Sequence, residues 1–187
     1  MKGIVFCEFL ELVETKFSHD MVDDIIADAK LPTGGSYTAT GTYDHAEMVA
    51  LASALSKRSG VEFKSLLGLF GEHLFGRFVS LYPHFFVGTN DSFQFLATID
   101  SIIHVEVLKL YPDAQLPKFE IERHDKDTLV MLYTSGRHFE DLAAGLMQGC
   151  FRHFNQQIGV TRETVTRGTE RKERFVLTRE STNARGS

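Results

Sequence analysis

His104 lies in DSIIHVEVLKLYP, residues 100 to 112, where helical apolar spacing puts a histidine at a position better packed by Leu or Ile. On a regular helix, positions 93, 96, 97, 100, 104, 107, 108 and 111 share one stripe. His104 therefore shares its face with Phe93, Leu96, Ala97, Val107, Leu108 and Tyr111. Each ring nitrogen of a buried imidazole needs a partner, and burial without one costs roughly 1–3 kcal/mol. Two outcomes satisfy it: a hydrogen-bonded core histidine, or a ligand to a metal or cofactor. Zinc would need three or four protein ligands, and the chain has no H-E-x-x-H and no cysteine cluster. His138, Cys150 and His153 share one stretch but lack a fourth ligand. Haem needs only one protein ligand, because the macrocycle supplies the other four nitrogens.

A second group follows in LYTSGR, where Tyr133, Ser135 and Arg137 form Y-x-S-x-R. A spacing of two puts the three side chains on one side of an extended segment. Two hydroxyls and a guanidinium then converge, a donor set matched to carboxylates such as the two haem propionates. The plainer reading is a strand end with chance polar alternation.

These residues must be positioned by helices before them and strands around them. Residues 2–17 and 19–30 carry apolar residues at helical spacing, and LPTGGSYTATGTYDH, rich in glycine, forms a loop after them. Asp44 with Glu47 resembles a capping box opening a third helix that Gly60 closes. A fourth helical run ends before Pro83, and Asp91 or Ser92 can cap the helix bearing His104, which Pro112 ends. KFEIERHDKDTLVMLYTS reads as a hairpin turning at Asp125 to Asp127. FEDLAAGLMQGCFRHFNQQIG is helical, and RETVTRGTERKERFVLTRE is a second hairpin. The predicted fold is α+β: a four-stranded antiparallel sheet packed on helices. One domain is expected over residues 1–181, its helical part at about 1–60 and the remainder at about 61–181, with a disordered tail at 182–187.

Composition narrows the function further. The chain is 187 residues long, 43% hydrophobic and 24% charged, and needs no disulfide or metal to support a core. Sixteen Phe, five Tyr and no Trp could fill that core or line a cavity for a flat apolar ligand. A formal charge of -5 argues against nucleic acid, since a phosphate-backbone binder needs a clustered cationic face. Glu8, Glu11 and Glu14 interrupt the apolar start before a signal or membrane segment could form. Cys7 and Cys150 are far apart, as free thiols in a reducing cytoplasm would be. No G-x-S-x-G, Cys-His arrangement or phosphate loop suggests an enzyme.

Taken in order, MKGIVF, YPHFFVG, His104 with VEVLKLYP, Pro117 and Y-x-S-x-R resemble the H-NOX family across nearly the whole chain. These are haem nitric oxide/oxygen binding domains, related to the haem domain of soluble guanylate cyclase. The resemblance implies a helical N-terminal subdomain and a C-terminal subdomain of sheet and helices, with haem b between them. It implies His104 as the proximal iron ligand, Tyr133, Ser135 and Arg137 at the propionates, and Pro117 pressing on the haem to keep it bent.

Relatives that bind O2 resemble one another in a distal Tyr nine positions after the first Tyr of the motif, and here that position is Leu142. Val5, Phe9, Leu74, Phe78 and Leu146 match the rest of the distal wall, all apolar. Bound O2 gains from a hydrogen-bond donor that NO does not need, so a nitric oxide sensor that also takes CO is expected. The switch implied is release of His104 on NO binding, relaxation of the haem and a shift between subdomains. Within the family, stand-alone bacterial domains regulate a histidine kinase or a cyclic-di-GMP enzyme, and with no output domain here a separate partner of that kind is implied. The alternatives are an O2 or redox sensor engaging Cys7 or Cys150, and a haem-free interaction domain.

Overall fold

The computed structural model describes residues 1–180, so the tail expected at 182–187 lies outside the described residues. Four helices come first: α1 (Gly3–Lys16), α2 (His19–Ala29), α3 (His45–Ser59) and α4 (Phe63–Leu81). Several have a clear local reason to begin or end where they do. The Ser18 hydroxyl accepts from the Met21 N–H at 3.1 Å and starts α2. Asp44 caps α3 by accepting from the Ala46 N–H at 2.9 Å, and Gly60, at φ 73°, closes that helix in the left-handed conformation. The reciprocal half of the expected capping box does not form. Glu47 turns inward instead and accepts from the hydroxyls of Thr33 and Tyr37.

After a short 3-10 turn (Pro83–Phe86) comes α5 (Ser92–Ala97), capped by Asp91 through the Gln94 N–H at 3.0 Å. A π turn (Ile99–Ile103) then leads into α6 (His104–Leu110). The remainder is β1 (Lys118–His124), β2 (Thr128–Thr134), α7 (Glu140–His153), β3 (Ile158–Arg167) and β4 (Glu170–Arg179). The strands form one antiparallel sheet in the order β1-β2-β4-β3, with a bulge between Ile121 and Arg123.

Two apolar cores divide the molecule. One joins α1, α2, α3 and the first half of α4, with Phe6, Phe9, Val13, Leu51 and Phe70 at its centre. The other joins the sheet, α5 and α7 around Phe93, Met131, Phe175 and Leu177. Helix α4 serves both, Leu66 to Leu74 facing the first core and Phe75 the second. Its partner is α7, and backbone meets backbone there: a Cβ on Gly145 would stand 2.1 Å from the Gly68 carbonyl oxygen. Between α1 and α4, buried Glu8 pairs with Arg77 at 2.6 Å, with His73 3.5 Å away. Among the described residues, no helix is long and apolar enough to cross a membrane.

Candidate haem site

Helices α1, α4, α6 and α7 and strands β1 and β2 enclose a cavity of about 490 Å³. That volume suits a cofactor or small ligand. Apolar side chains dominate its walls, with aromatic rings prominent among them, including Phe75, Phe78, Phe86, Phe95, Phe119 and Phe139. The phenylalanine excess thus fills the cores and lines the cavity as well.

His104 is on one wall. The helix that carries it is not regular. His104 N–H reaches back to the Ile99 carbonyl, and Ile103 N–H to that of Thr98, so the π turn inserts one residue into the ladder. From this segment Ile103, His104, Val107, Leu110 and Tyr111 line the cavity, Leu110 from its exposed rim. Leu108, expected on the same face as His104, is 41% exposed. His45, the other histidine at the cavity, is at the start of α3, half-exposed beside Asp44 at 3.2 Å.

Asp100, a residue not singled out from the sequence, stands at the His104 ring. Its Oδ1 is 2.8 Å from His104 Nδ1, close but without an aligned N–H, and no other donor reaches that oxygen. Its Oδ2 accepts from the Phe119 N–H at 2.8 Å, tying the His104 helix to β1. Carboxylate at Nδ1 leaves Nε2 as the ligating atom and raises the basicity of the ring. Burial pushes the His104 imidazole below its ordinary 6.5, with Asp100 pulling the other way, so the neutral form that can bind a metal is favoured. An acid one helical turn before a buried histidine was the available sequence signal. Phe119 sits between His104, 6.1 Å away by ring centroids, and its cross-strand partner Tyr133, 5.3 Å away.

Tyr133, Ser135 and Arg137 all line the cavity, though not as one extended strand. Tyr133 belongs to β2, which ends at Thr134. Ser135 begins a turn in which its Oγ accepts from the Arg137 N–H at 3.2 Å. Tyr133 is buried, and that burial raises its phenol above 10 while the Ser135 hydroxyl opposes the shift. Pro117 is on the wall between α6 and β1.

Val5, Leu74, Phe78, Leu142 and Leu146 line the cavity from α1, α4 and α7. Phe9, expected beside them, does not line it. One helical turn past Val5, it is fully buried in the helical core, edge-on to Phe70 at 5.1 Å. Of the alternative zinc ligands, His138 is exposed beside Glu140, Cys150 is fully buried and His153 packs on Phe86 and Phe154. Among the described residues, no group of three or more His, Cys, Asp or Glu could hold a metal ion. Burial pushes the Cys150 thiol up to about 12, which leaves it unreactive, and Cys7 is also raised by burial.

An apolar, aromatic-lined cavity with a partly buried imidazole, two hydroxyls and a guanidinium on its walls fits haem. His104 would hold the iron, and Tyr133, Ser135 and Arg137 the propionates.

Comparison with known proteins agrees. The family model described as "Haem-NO-binding" matches residues 2–162. No curated protein matches the chain. Among solved structures, the unliganded Fe(II) H-NOX protein from K. algicida is 38% identical, with a TM-score of 0.90 over 98% of both chains. The H-NOX from Shewanella woodyi, solved with IWP-051 in the Fe(II)CO state, is 38% identical, with a TM-score of 0.84 over 98% of this chain and 97% of that one. An H-NOX from S. oneidensis in the Fe(II)NO state shares the fold at 22% identity and TM-score 0.86, over 96% of this chain and 100% of that one. The cavity and these matches together show that the chain belongs to the H-NOX family of haem-binding gas-sensor domains.

Proposed function

We propose that this protein is a nitric oxide sensor that holds haem b in the cavity through His104 and signals by a change of shape to a separate protein. The observation that carries the reading is the partly buried imidazole of His104 on the cavity wall, backed by Asp100, in a cavity whose walls from α1, α4 and α7 are apolar. Bound ferrous haem supplies the iron at which a diatomic gas adds. Neutral His104 would hold the iron, Asp100 orients its ring, and Tyr133, Ser135 and Arg137 would hold the propionates. Pro117, rigid in φ, would bear on the bound haem from the segment between α6 and β1.

Selectivity rests on the distal wall. Val5, Leu74, Phe78, Leu142 and Leu146 offer no donor to a bound gas, so O2 lacks the hydrogen bond that stabilises it and NO loses little. Among the cavity hydroxyls, Tyr82 interacts with Tyr111, and Tyr43 accepts from the Thr38 N–H at 2.9 Å. Were His104 to lose its ligand role when NO binds, α6 would be held only through Asp100, whose Oδ2 accepts from the Phe119 N–H of β1, and this helix would be the moving element. Its outer face exposes Ile102, Val105 and Leu108, an apolar strip suited to a protein partner. By resemblance that partner is a histidine kinase or a cyclic-di-GMP enzyme in the cytoplasm.

Visible absorption of the protein, reduced without oxygen and then exposed to CO, NO and air, tests the reading. A five-coordinate ferrous spectrum that shifts with CO and NO and forms no stable oxy complex is expected. A stable oxy complex would make the protein an O2 sensor, and the absence of any haem spectrum would return His104 to a core histidine.

A further inference from the structure

Arg137 differs from the other arginines of the described chain in the charge around it. Arg58, Arg77, Arg123, Arg152, Arg162, Arg167, Arg174 and Arg179 each stand within 4 Å of a carboxylate. Arg137 and the exposed Arg171 have no such partner among the described residues, and of the two only Arg137 faces the cavity. Its guanidinium is nevertheless held. Nη1 donates to the Gln115 carbonyl oxygen at 3.0 Å and Nη2 to the Gln115 side-chain Oε1 at 3.1 Å.

This is a two-point grip from one neutral residue. It occupies two N–H groups on one edge of the guanidinium, restricts a side chain that otherwise has many rotamers, and takes away none of its charge. A carboxylate in the same place would make the same contacts but neutralise the cation. The grip also comes from the segment that supplies Pro117, two residues later, so one stretch of chain serves both the wall and the lip of the cavity.

We propose that Gln115 is a positioning residue: it presets Arg137, with its charge unspent, for a haem propionate. The proposal rests on the haem reading above. A cation already ordered at the lip loses little entropy when the carboxylate arrives, so Gln115 acts on how long haem is retained rather than on which gas binds.

The test is the rate at which haem passes from the ferric holoprotein to excess apomyoglobin, for the wild type, Gln115→Ala, Gln115→Glu, Arg137→Ala and the two double variants with Arg137→Ala. Losing a hydrogen-bonded preset worth one decade of affinity predicts about tenfold faster loss for Gln115→Ala. Gln115→Glu keeps the grip but cancels the charge. It should lose haem faster than wild type near neutral pH and approach the wild-type rate, compared at the same pH, as the introduced carboxylate is protonated in acid. In the Arg137→Ala background Gln115→Ala should have no further effect, which is the mark of action through Arg137, whereas Gln115→Glu there leaves an unpaired carboxylate and should still speed haem loss. The reduced variants should keep the wild-type five-coordinate spectrum, because His104 is untouched. Variants that lose haem at the wild-type rate, or a Gln115→Ala effect undiminished in the Arg137→Ala background, would overturn the assignment while leaving the haem reading intact. A wild-type chain that takes up no haem would overturn both.

Discussion

At His104 one side chain meets two demands: a partly buried imidazole needs a partner, and the proposed role as haem ligand needs one nitrogen left free. Asp100 meets the first without competing for the second, because it stands at Nδ1 and leaves Nε2 to the cavity. Asp100→Asn removes the charge that keeps the ring basic. Outer-shell losses of this kind typically cost about 10–100-fold in metal affinity. The variant is expected to release haem about that much faster and to show a lower iron–histidine stretching frequency by resonance Raman. An unchanged frequency would mean that Asp100 serves only to anchor β1. On the α7 wall of the cavity, Leu142→Tyr adds a hydrogen-bond donor beside apolar Val5, Leu74, Phe78 and Leu146. A hydrogen bond to a charged group is worth about 1.5–3 kcal/mol, so O2 affinity should rise by one to two decades, read by oxygen titration of the ferrous protein, with little change for CO.

The π turn between α5 and α6 shows how an element interrupts a stripe that periodicity alone would run straight through. The inserted residue shifts the phase of α5 against α6 and brings Ile103 to the cavity beside Val107 and Tyr111, while Leu108, which follows the turn together with His104, is 41% exposed. The start of α5 is held by Asp91, whose carboxylate accepts from Gln94 N–H, from the Gln156 amide at 3.1 Å and from Arg179 at 2.5 Å. The cap thereby ties α5 to the end of α7 and to β4. Burial opposes ionisation of Asp91, yet these donors together outweigh it and hold the carboxyl below its ordinary 3.8. A depressed acid stabilises the fold above its unfolded value, and that contribution is lost as pH falls through the lower, folded value. Asp91→Ala should therefore cost about 1–2 kcal/mol in urea unfolding at neutral pH. The gap between variant and wild type should close as pH falls below the ordinary 3.8 of an aspartate and through the lower, folded value. A gap that persists unchanged in acid would show that the cap does not act through its charge.

At the scale of the molecule, the cavity lies where the two apolar cores meet, with α4 common to both. A ligand bound there bridges them, and anything that binds the folded chain alone stabilises it by mass action. The haem-loaded protein should melt on the order of 10 °C above the haem-free form, since saturation at a thousandfold over Kd is worth about 4 kcal/mol and each kcal/mol moves a domain of this size by about 2–4 °C. Equal melting temperatures by calorimetry would mean that haem does not bind the folded chain in preference to the unfolded one.

Much of this was legible in the residues themselves. Apolar spacing located the helices, Gly60 and Pro83 marked ends, and the polar turns at Asp125 and Gly168 separated the strand pairs, because these signals are local. The histidine on an apolar face and the Y-x-S-x-R spacing marked the residues that meet at the cavity, and the ordered motifs identified the family. The sequence alone also determined a chain with its own core and no cationic face. Only the tertiary structure decided the π turn, the withdrawal of Phe9 into the helical core, the approach of Asp100 to His104 and the grip of Gln115 on Arg137. Each depends on how separate elements pack or on one extra residue in a hydrogen-bond ladder, and neither leaves a period in the sequence.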